Sequence, residues 1–245
     1  LETLIAQLDP SELVVPNNFT CPDWLNAVAV CISEQSPALF DSTSGRQMLE
    51  SFYQVGSLDG FGEFSRAMLS AAGALLGYLE TTQIGNMPPL KRLKTVVDTS
   101  YIEIDPATRR SLELTRTLSG ESRGSLLHAI DRTVTAAGGR LLAERLAAPL
   151  CNAKSIVDRQ EQVAWFLQHL DMCKQIRVKM SELSDMERIM SRLSMGHGGP
   201  RDLSGLAKSL ASASEIVTIA TSVRALSEPP QLSALFDAIM VPAPL

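Results

Sequence analysis

The sequence predicts a mainly α protein in two parts, a first region of mixed α/β character over residues 1–90 and a helical bundle over 91–245. Three observations carry this. From residue 105 onward apolar side chains recur at alternating spacings of three and four, the period of an amphipathic helix, and no segment there reads as a convincing strand. Strand-like runs are short and belong mostly to the first region, chiefly Leu13-Val14-Val15 before Pro16 and the alternation Val28, Val30, Ile32. Between the two parts lies Met87-Pro88-Pro89-Leu90, a breaker that the interior of a regular element does not tolerate.

Taken in order, Leu1, Leu4, Ile5 and Leu8 share one face of an opening helix that Asp9-Pro10 ends. A helix is expected over 45–53, with Met48, Leu49 and Phe52 on its apolar side. The turn Leu58-Asp59-Gly60-Phe61-Gly62 leads into a strongly apolar helix containing Ala67, Met68, Ala71, Ala72, Leu75, Leu76 and Leu79, whose small residues permit close approach of a neighbour. Residues 101–105 (YIEID) read as a strand, Pro106 breaks it, and helical spacing is expected at Leu112 and over 114–118. A loop of Ser, Gly, Glu and Arg follows. The next helix bears Leu126, Leu127 and Ile130, is interrupted over 133–139, and resumes with Leu141, Leu142 and Leu146 until Pro149.

Beyond it, Ile156, Val163, Phe166, Leu167 and Leu170 mark one amphipathic helix, and Ile176, Met180 and Leu183 mark another. Ser184 is placed to cap a third, with Glu187 in capping-box position and Met186, Ile189, Met190 and Leu193 as its buried face. After the turn 196–200, a long helix is expected from Arg201 or Asp202, with the stripe Leu203, Leu206, Leu210, Ala213, Val217, Ala220, Val223. Glu228-Pro229-Pro230 stops it, and a last helix over 232–240 carries Leu235, Phe236 and Ile239 before Pro242 and Pro244.

Composition narrows the function classes. A chain of 245 residues, 45% apolar and 20% charged, can bury a sizeable core as a soluble globular protein. No apolar run approaches the roughly 18 residues needed to cross a bilayer, and the N-terminus shows no secretory signal. The formal net charge is −5, unevenly placed. Residues 1–60 hold eight acidic side chains against the single base Arg46, a net of −7, so this region should repel a phosphate backbone. Cys21, Cys31, Cys151 and Cys173 stand far apart without C-x-x-C spacing, which points to reduced cytosolic thiols and away from zinc.

The central stretch carries a family likeness. Asp105, Thr108, Arg109, Leu112 and Glu113 are followed by Leu126, Ile130, Asp131, Thr133, Thr135, Gly138, Arg140 and Leu142. These two runs, in this order, resemble the opening of the core or lever domain of the DNA mismatch-repair protein family MutS. The run Leu183-Ser184-Asp185-Met186-Glu187-Arg188, followed by Pro200-Arg201-Asp202-Leu203, is similar to the D-x-E-R and P-x-D-L signatures of that lever. The start Asp9-Pro10-Ser11-Glu12-Leu13, the turn Gly60-Phe61-Gly62, the apolar helix over 71–78 and Thr82-Gln83 look like the C-terminal part of the MutS connector.

The likeness spans nearly the whole chain and ends about where the family inserts its DNA-gripping clamp. It implies a fragment: residues 1–90 as part of a ribonuclease-H-like α/β connector with the helices leading out of it, and 91–245 as the helical lever without its clamp. A partial connector would expose sheet edge.

The residues offer little chemistry of their own. A nucleotide-hydrolysing member needs a G-x-x-x-x-G-K-S/T loop, and none occurs here. Residues 120–125 and 196–199 could present backbone amides to a phosphate, but turns between helices need the same residues and are the favoured reading. His128, His169 and His197 lack a nucleophile elbow to serve. Arg109, Arg110, Arg116, Arg123, Arg132, Arg140 and Arg145 lie among Glu103, Asp105, Glu113, Glu121, Asp131 and Glu144. Ion pairs and caps are favoured there over phosphate contact, with Arg109 and Glu113 four apart on one face. Met180, Met186, Met190 and Met195 are most simply core filling.

Neither a catalytic, nor a cofactor-binding, nor a metal-binding residue is therefore assigned, and the chain is not expected to be an enzyme. The resemblance implies a whole protein that is a dimeric, cytoplasmic ATPase using ATP and magnesium, binds mismatched duplex DNA and recruits MutL, with no membrane partner. This part would couple the ATPase domain to the DNA clamp and mismatch reader, and Gly138→Pro is expected to uncouple them by breaking a lever helix. A freestanding helical interaction module is the alternative; it explains the stripes but not the ordered motifs. A paralogue acting in recombination or ribosome rescue is a third, disfavoured by the connector-like first region.

Overall fold

The computed structural model describes residues 1–26, 28, 30–83, 87–95, 101–222 and 228–239. It is mostly helical with one small two-stranded sheet near the N-terminus, as the patterning predicts. The chain forms two compact units, Leu1–Asp98 and Thr99–Leu245.

In the first unit, α1 (Glu2–Leu8) ends where Asp9 turns left-handed, and of its apolar face only Ile5 is buried. Strand β1 (Glu12–Pro16) follows, then a single helical turn α2 (Asp23–Asn26) that buries Leu25, and β2 (Cys31–Gln35). The strands pair in parallel, Glu12 opposite Cys31 through Pro16 opposite Gln35. The second strand thus lies further along than the alternation at Val28 and Val30 suggests. Val28 N–H is taken by Leu25 O and Val30 N–H by Val28 O, so pairing starts only where Cys31 N–H reaches Ser11 O. The hydroxyls of Ser33 and Tyr78 both donate to Glu12, holding its carboxyl below the usual range and tying the sheet to the fourth helix.

That helix, α4 (Arg66–Thr82), packs along α3 (Ser42–Tyr53). Ser65 caps one by accepting from Met68 N–H and Asp41 caps the other by accepting from Ser44 N–H. Their backbones meet at two glycines: a Cβ on Gly45 would lie 2.6 Å from Leu69 O, and one on Gly73 would fall on the backbone of Gly45. Close approach lets Leu49, Leu69 and Leu76 join Leu58 of the 3-10 turn Leu58–Phe61 in one buried cluster.

The second unit departs from expectation in instructive ways. The expected strand over 101–105 shrinks to an isolated antiparallel bridge between Tyr101 and Leu150 with Ile102 N–H on Pro149 O, because Asp105 and Pro106 commit the chain to a helix start. The helix so begun, α5 (Pro106–Ser111), stops before the leucines at 112–118. Glu113 takes a left-handed φ of 46° and its carboxylate accepts from Leu118 N–H, folding 112–118 into turns. Glu113 O and Leu114 O then accept the first two amides of α6 (Leu126–Ile130), satisfying donors that no helix satisfies internally.

After α6 the interruption covers 131–135 and not 133–139: Asp131 accepts from Thr133 N–H, and α7 (Ala136–Ala147) restarts with Thr135 as its cap. Gly138 therefore sits in the first turn, its N–H bound to Thr135 Oγ1. Proline there would remove that cap and no i→i−4 bond, so Gly138→Pro is a poor helix breaker, contrary to the sequence expectation.

The core of this unit is built by α8 (Ala153–Gln168), α9 (Leu170–Ser181), α11 (Pro200–Ser222) and α12 (Pro230–Ala238) around Trp165, Met172, Ile176, Ile216, Ala220, Leu232 and Phe236. Trp165, 3% exposed, is the buried residue of α8, while Val163 and Leu167 of the expected stripe are more than half exposed and Leu170 opens α9. On α10 (Met186–Ser194) only Ile189 is buried and Met190 faces out. The cap is Asp185, not Ser184. Helix α11 begins at Pro200, and its inner face is Ser209, Ser212, Ile216 and Ala220, whereas Leu203 is exposed. Val223, Met240, Pro242 and Pro244 of the sequence reading lie outside the described residues.

Candidate functional site

The central arginines do different things. Arg109 is half-buried, donates to Ala147 O at 2.8 Å and leaves its Nε buried without a partner; burial holds its pKa below the usual guanidinium value. The expected pair with Glu113 does not form, since Glu113 is occupied with Leu118 N–H. Arg132 donates to the neighbouring Asp131 O, and Arg132 O accepts from Arg177 of α9 at 2.7 Å. Arg116 reaches Gly120 O. Arg110 and Arg123 are exposed. Arg145 lies by Arg159 on a groove of about 540 Å³ walled by Leu150, Ile156, Val163 and Leu167, and burial with Arg159's charge lowers its pKa.

Arg140 makes the most ordered contact. From α7 its guanidinium donates to both oxygens of Asp185, at 2.7 and 3.0 Å, and to Glu187 at 3.2 Å. Asp185 is also the cap of α10, accepting from Arg188 N–H, and lies 3.4 Å from Arg188 Nε. Its side chain is 18% exposed. The bond from Arg140 is the main reason that the Asp185 carboxyl stays below its ordinary range, and Asp185 in return raises Arg140. A planar, bidentate fork fixes direction as well as distance, so α7 is held in one orientation on the start of α10.

Three further fasteners hold α9, α10 and α11 together. Buried Ser209 accepts Ser184 N–H at 2.9 Å and donates to Gly205 O at 2.8 Å. Lys179 bridges Glu215 at 2.8 Å and Glu182 at 3.5 Å, and Ser212 donates to Glu182. Arg192 pairs with Asp202, which also accepts Gly199 N–H. Sequence patterning missed these, because the partners stand 10 to 36 positions apart, from Arg192–Asp202 to Lys179–Glu215, and serines do not register as a helix's inner face.

The glycine loops behave as turns. Thr117 and Glu121 are joined by three bonds, Gly120 N–H goes to Thr117 O, and Gly196 and His197 amides go to Leu193 O and Arg192 O. His128 lies beside Asp131, Arg132 and Thr133 on a second groove of about 530 Å³. His169 Nδ1 meets Trp165 O at 2.8 Å and its ring lies 4.5 Å from the indole. Among the described residues no group of three His, Cys, Asp or Glu is placed to hold a metal ion, and no helix is long and apolar enough to cross a membrane. What the arrangement does chemically is to fasten helices by charge-assisted bonds at defined angles.

Two family models match this chain: one described as MutS domain II over residues 1–91 and one described as MutS domain III over residues 107–244.

Proposed function

Since the chain belongs to the MutS family of DNA mismatch-repair proteins and carries its domains II and III, we propose that residues 91–245 act as the mechanical coupling between an ATPase domain and the parts that grip and read DNA. The single observation that carries this is the Arg140 fork on Asp185 and Glu187. A lever must pass on a displacement without absorbing it, and packed helices joined by a planar two-point bond shift as bodies, not by continuous bending. The other fasteners, at Ser209, Lys179 and Arg192, act in the same sense.

In this reading the whole protein binds mismatched duplex DNA, works as a homodimer in the cytoplasm and uses ATP with magnesium at a domain outside residues 1–245. This chain contributes no catalytic group. MutL meets the first unit, whose acidic residues 1–60 suit a protein partner better than a phosphate backbone. The test uses the whole protein with Arg140→Ala and, separately, Ala143→Pro, which removes an i→i−4 bond from the middle of α7. Nucleotide-driven release from a mismatch should slow by about tenfold, within the usual range of coupling energies, while nucleotide-free DNA affinity changes by less than about threefold. Unaltered release in both variants would defeat the reading.

A further inference from the structure

Residues 87–95 carry no helix or strand, yet they are held to the first unit at several points. Met87, Leu90 and Leu93 pack against the cluster of Leu49, Leu58, Leu69 and Leu76. Tyr53 O–H donates to Lys91 O at 2.8 Å, and Thr95 Oγ1 donates to Glu63 O at 3.1 Å. The Arg92 guanidinium sits 4.1 Å over the Phe61 ring and donates to Gly60 O. Phe61 is itself set by Tyr53, ring centres 5.2 Å apart and edge to face, and Tyr53 by Phe52 at 5.0 Å. The accepting carbonyls, Gly60 O and Glu63 O, belong to the 3-10 turn Leu58–Phe61 and the residues just after it, where Gly62 has a φ of 130°.

We propose that residues 87–95 are a releasable clasp, fastened onto the Tyr53–Phe61 edge of the first unit through side chains, whose opening lengthens the chain run between the two units. The bonds at Lys91 O, Gly60 O and Glu63 O each join a side chain to a backbone carbonyl, and among the described residues no backbone–backbone ladder holds the segment in register. Loss of one anchor therefore weakens its neighbours, and the segment can leave while α3 and α4 stay packed. Release frees about nine residues, roughly 30 Å of extended chain. Cation–π contact prefers arginine here, because its flat guanidinium stacks on Phe61 while its N–H reaches Gly60 O. This inference does not rest on the coupling role proposed above.

The clasp contains three tryptic sites, Lys91, Arg92 and Lys94, and Arg66 inside α4 supplies an internal control. The experiment is limited trypsin digestion of the full chain, following cleavage at each site by mass spectrometry, for wild type, Tyr53→Phe, Phe61→Leu and the double variant. Neither substitution alters a cleavage site. Each single variant should raise the cleavage rate at Lys91 and Arg92 by about threefold to tenfold, the double variant more, with the rate at Arg66 unchanged. The proposal is overturned if wild type is cut at Lys91 and Arg92 as fast as a free peptide of residues 84–100, if the variants leave those rates unaltered, or if cleavage at Arg66 rises in step.

Discussion

Asp185 answers to two helices at once, capping α10 and receiving the Arg140 fork from α7. Because these bonds depress its folded pKa below the unfolded value near 3.9, the stability it contributes is complete above that value and is lost as pH falls through the folded pKa. Asp202, lowered mainly by Arg192, adds to the same acid limb. Asp185→Asn should therefore flatten the loss of urea midpoint between about pH 5 and 3 relative to wild type. An unchanged slope would show that the fork carries no linkage. Ser209 is the other decisive residue. Ser209→Ala removes the acceptor of Ser184 N–H and should cost about 0.5–1.5 kcal/mol in urea unfolding. The sequence motif D-x-E-R singles out Asp185, but its partner and the role of Ser209 emerge only when residues far apart in the chain are brought together.

At the scale of elements, helices were legible and their inner faces less so. The period of apolar residues marks α3, α4, α8, α9 and α11, because burial of a stripe is what stabilises a helix in water. On α11 the leucines point partly to solvent and serines pack inward, since close approach of α9 demands small side chains there. On α8, Trp165 outweighs the aliphatic residues on either side. The helix expected through 112–118 failed because one left-handed residue, Glu113, turns the chain, and no periodicity reports a backbone angle. A close approach along α4 was expected from its small residues, but Gly73 makes it while Ala67 and Ala71 are exposed, and Gly73→Ala tests it. A Cβ there meets the Gly45 backbone, which cannot move aside as a side chain would, so the loss should reach about 1–3 kcal/mol in thermal or urea unfolding. Ala at Gly56, where nothing lies near, serves as the comparison and should be close to neutral.

For the whole molecule, a mainly helical chain with a small sheet near its N-terminus was readable from where strand-like runs cease. Family membership was readable from ordered motifs, some of whose residues the fold turns into caps or ion pairs: Asp105 and Thr135 start helices, and Arg140 and Asp185 join them. The chain alone should turn over no ATP above a buffer control in a phosphate-release assay, and measurable magnesium-dependent turnover that follows the purified chain would refute its assignment as a coupling part. The sheet has a consequence of its own. Two parallel strands of five residues, with no third strand beside them among the described residues, order much backbone for few ladder bonds. In heavy water the amides of 12–15 and 31–35 would trade their hydrogens well before those at the α3–α4 contact, making this corner the quickest clock in the first unit.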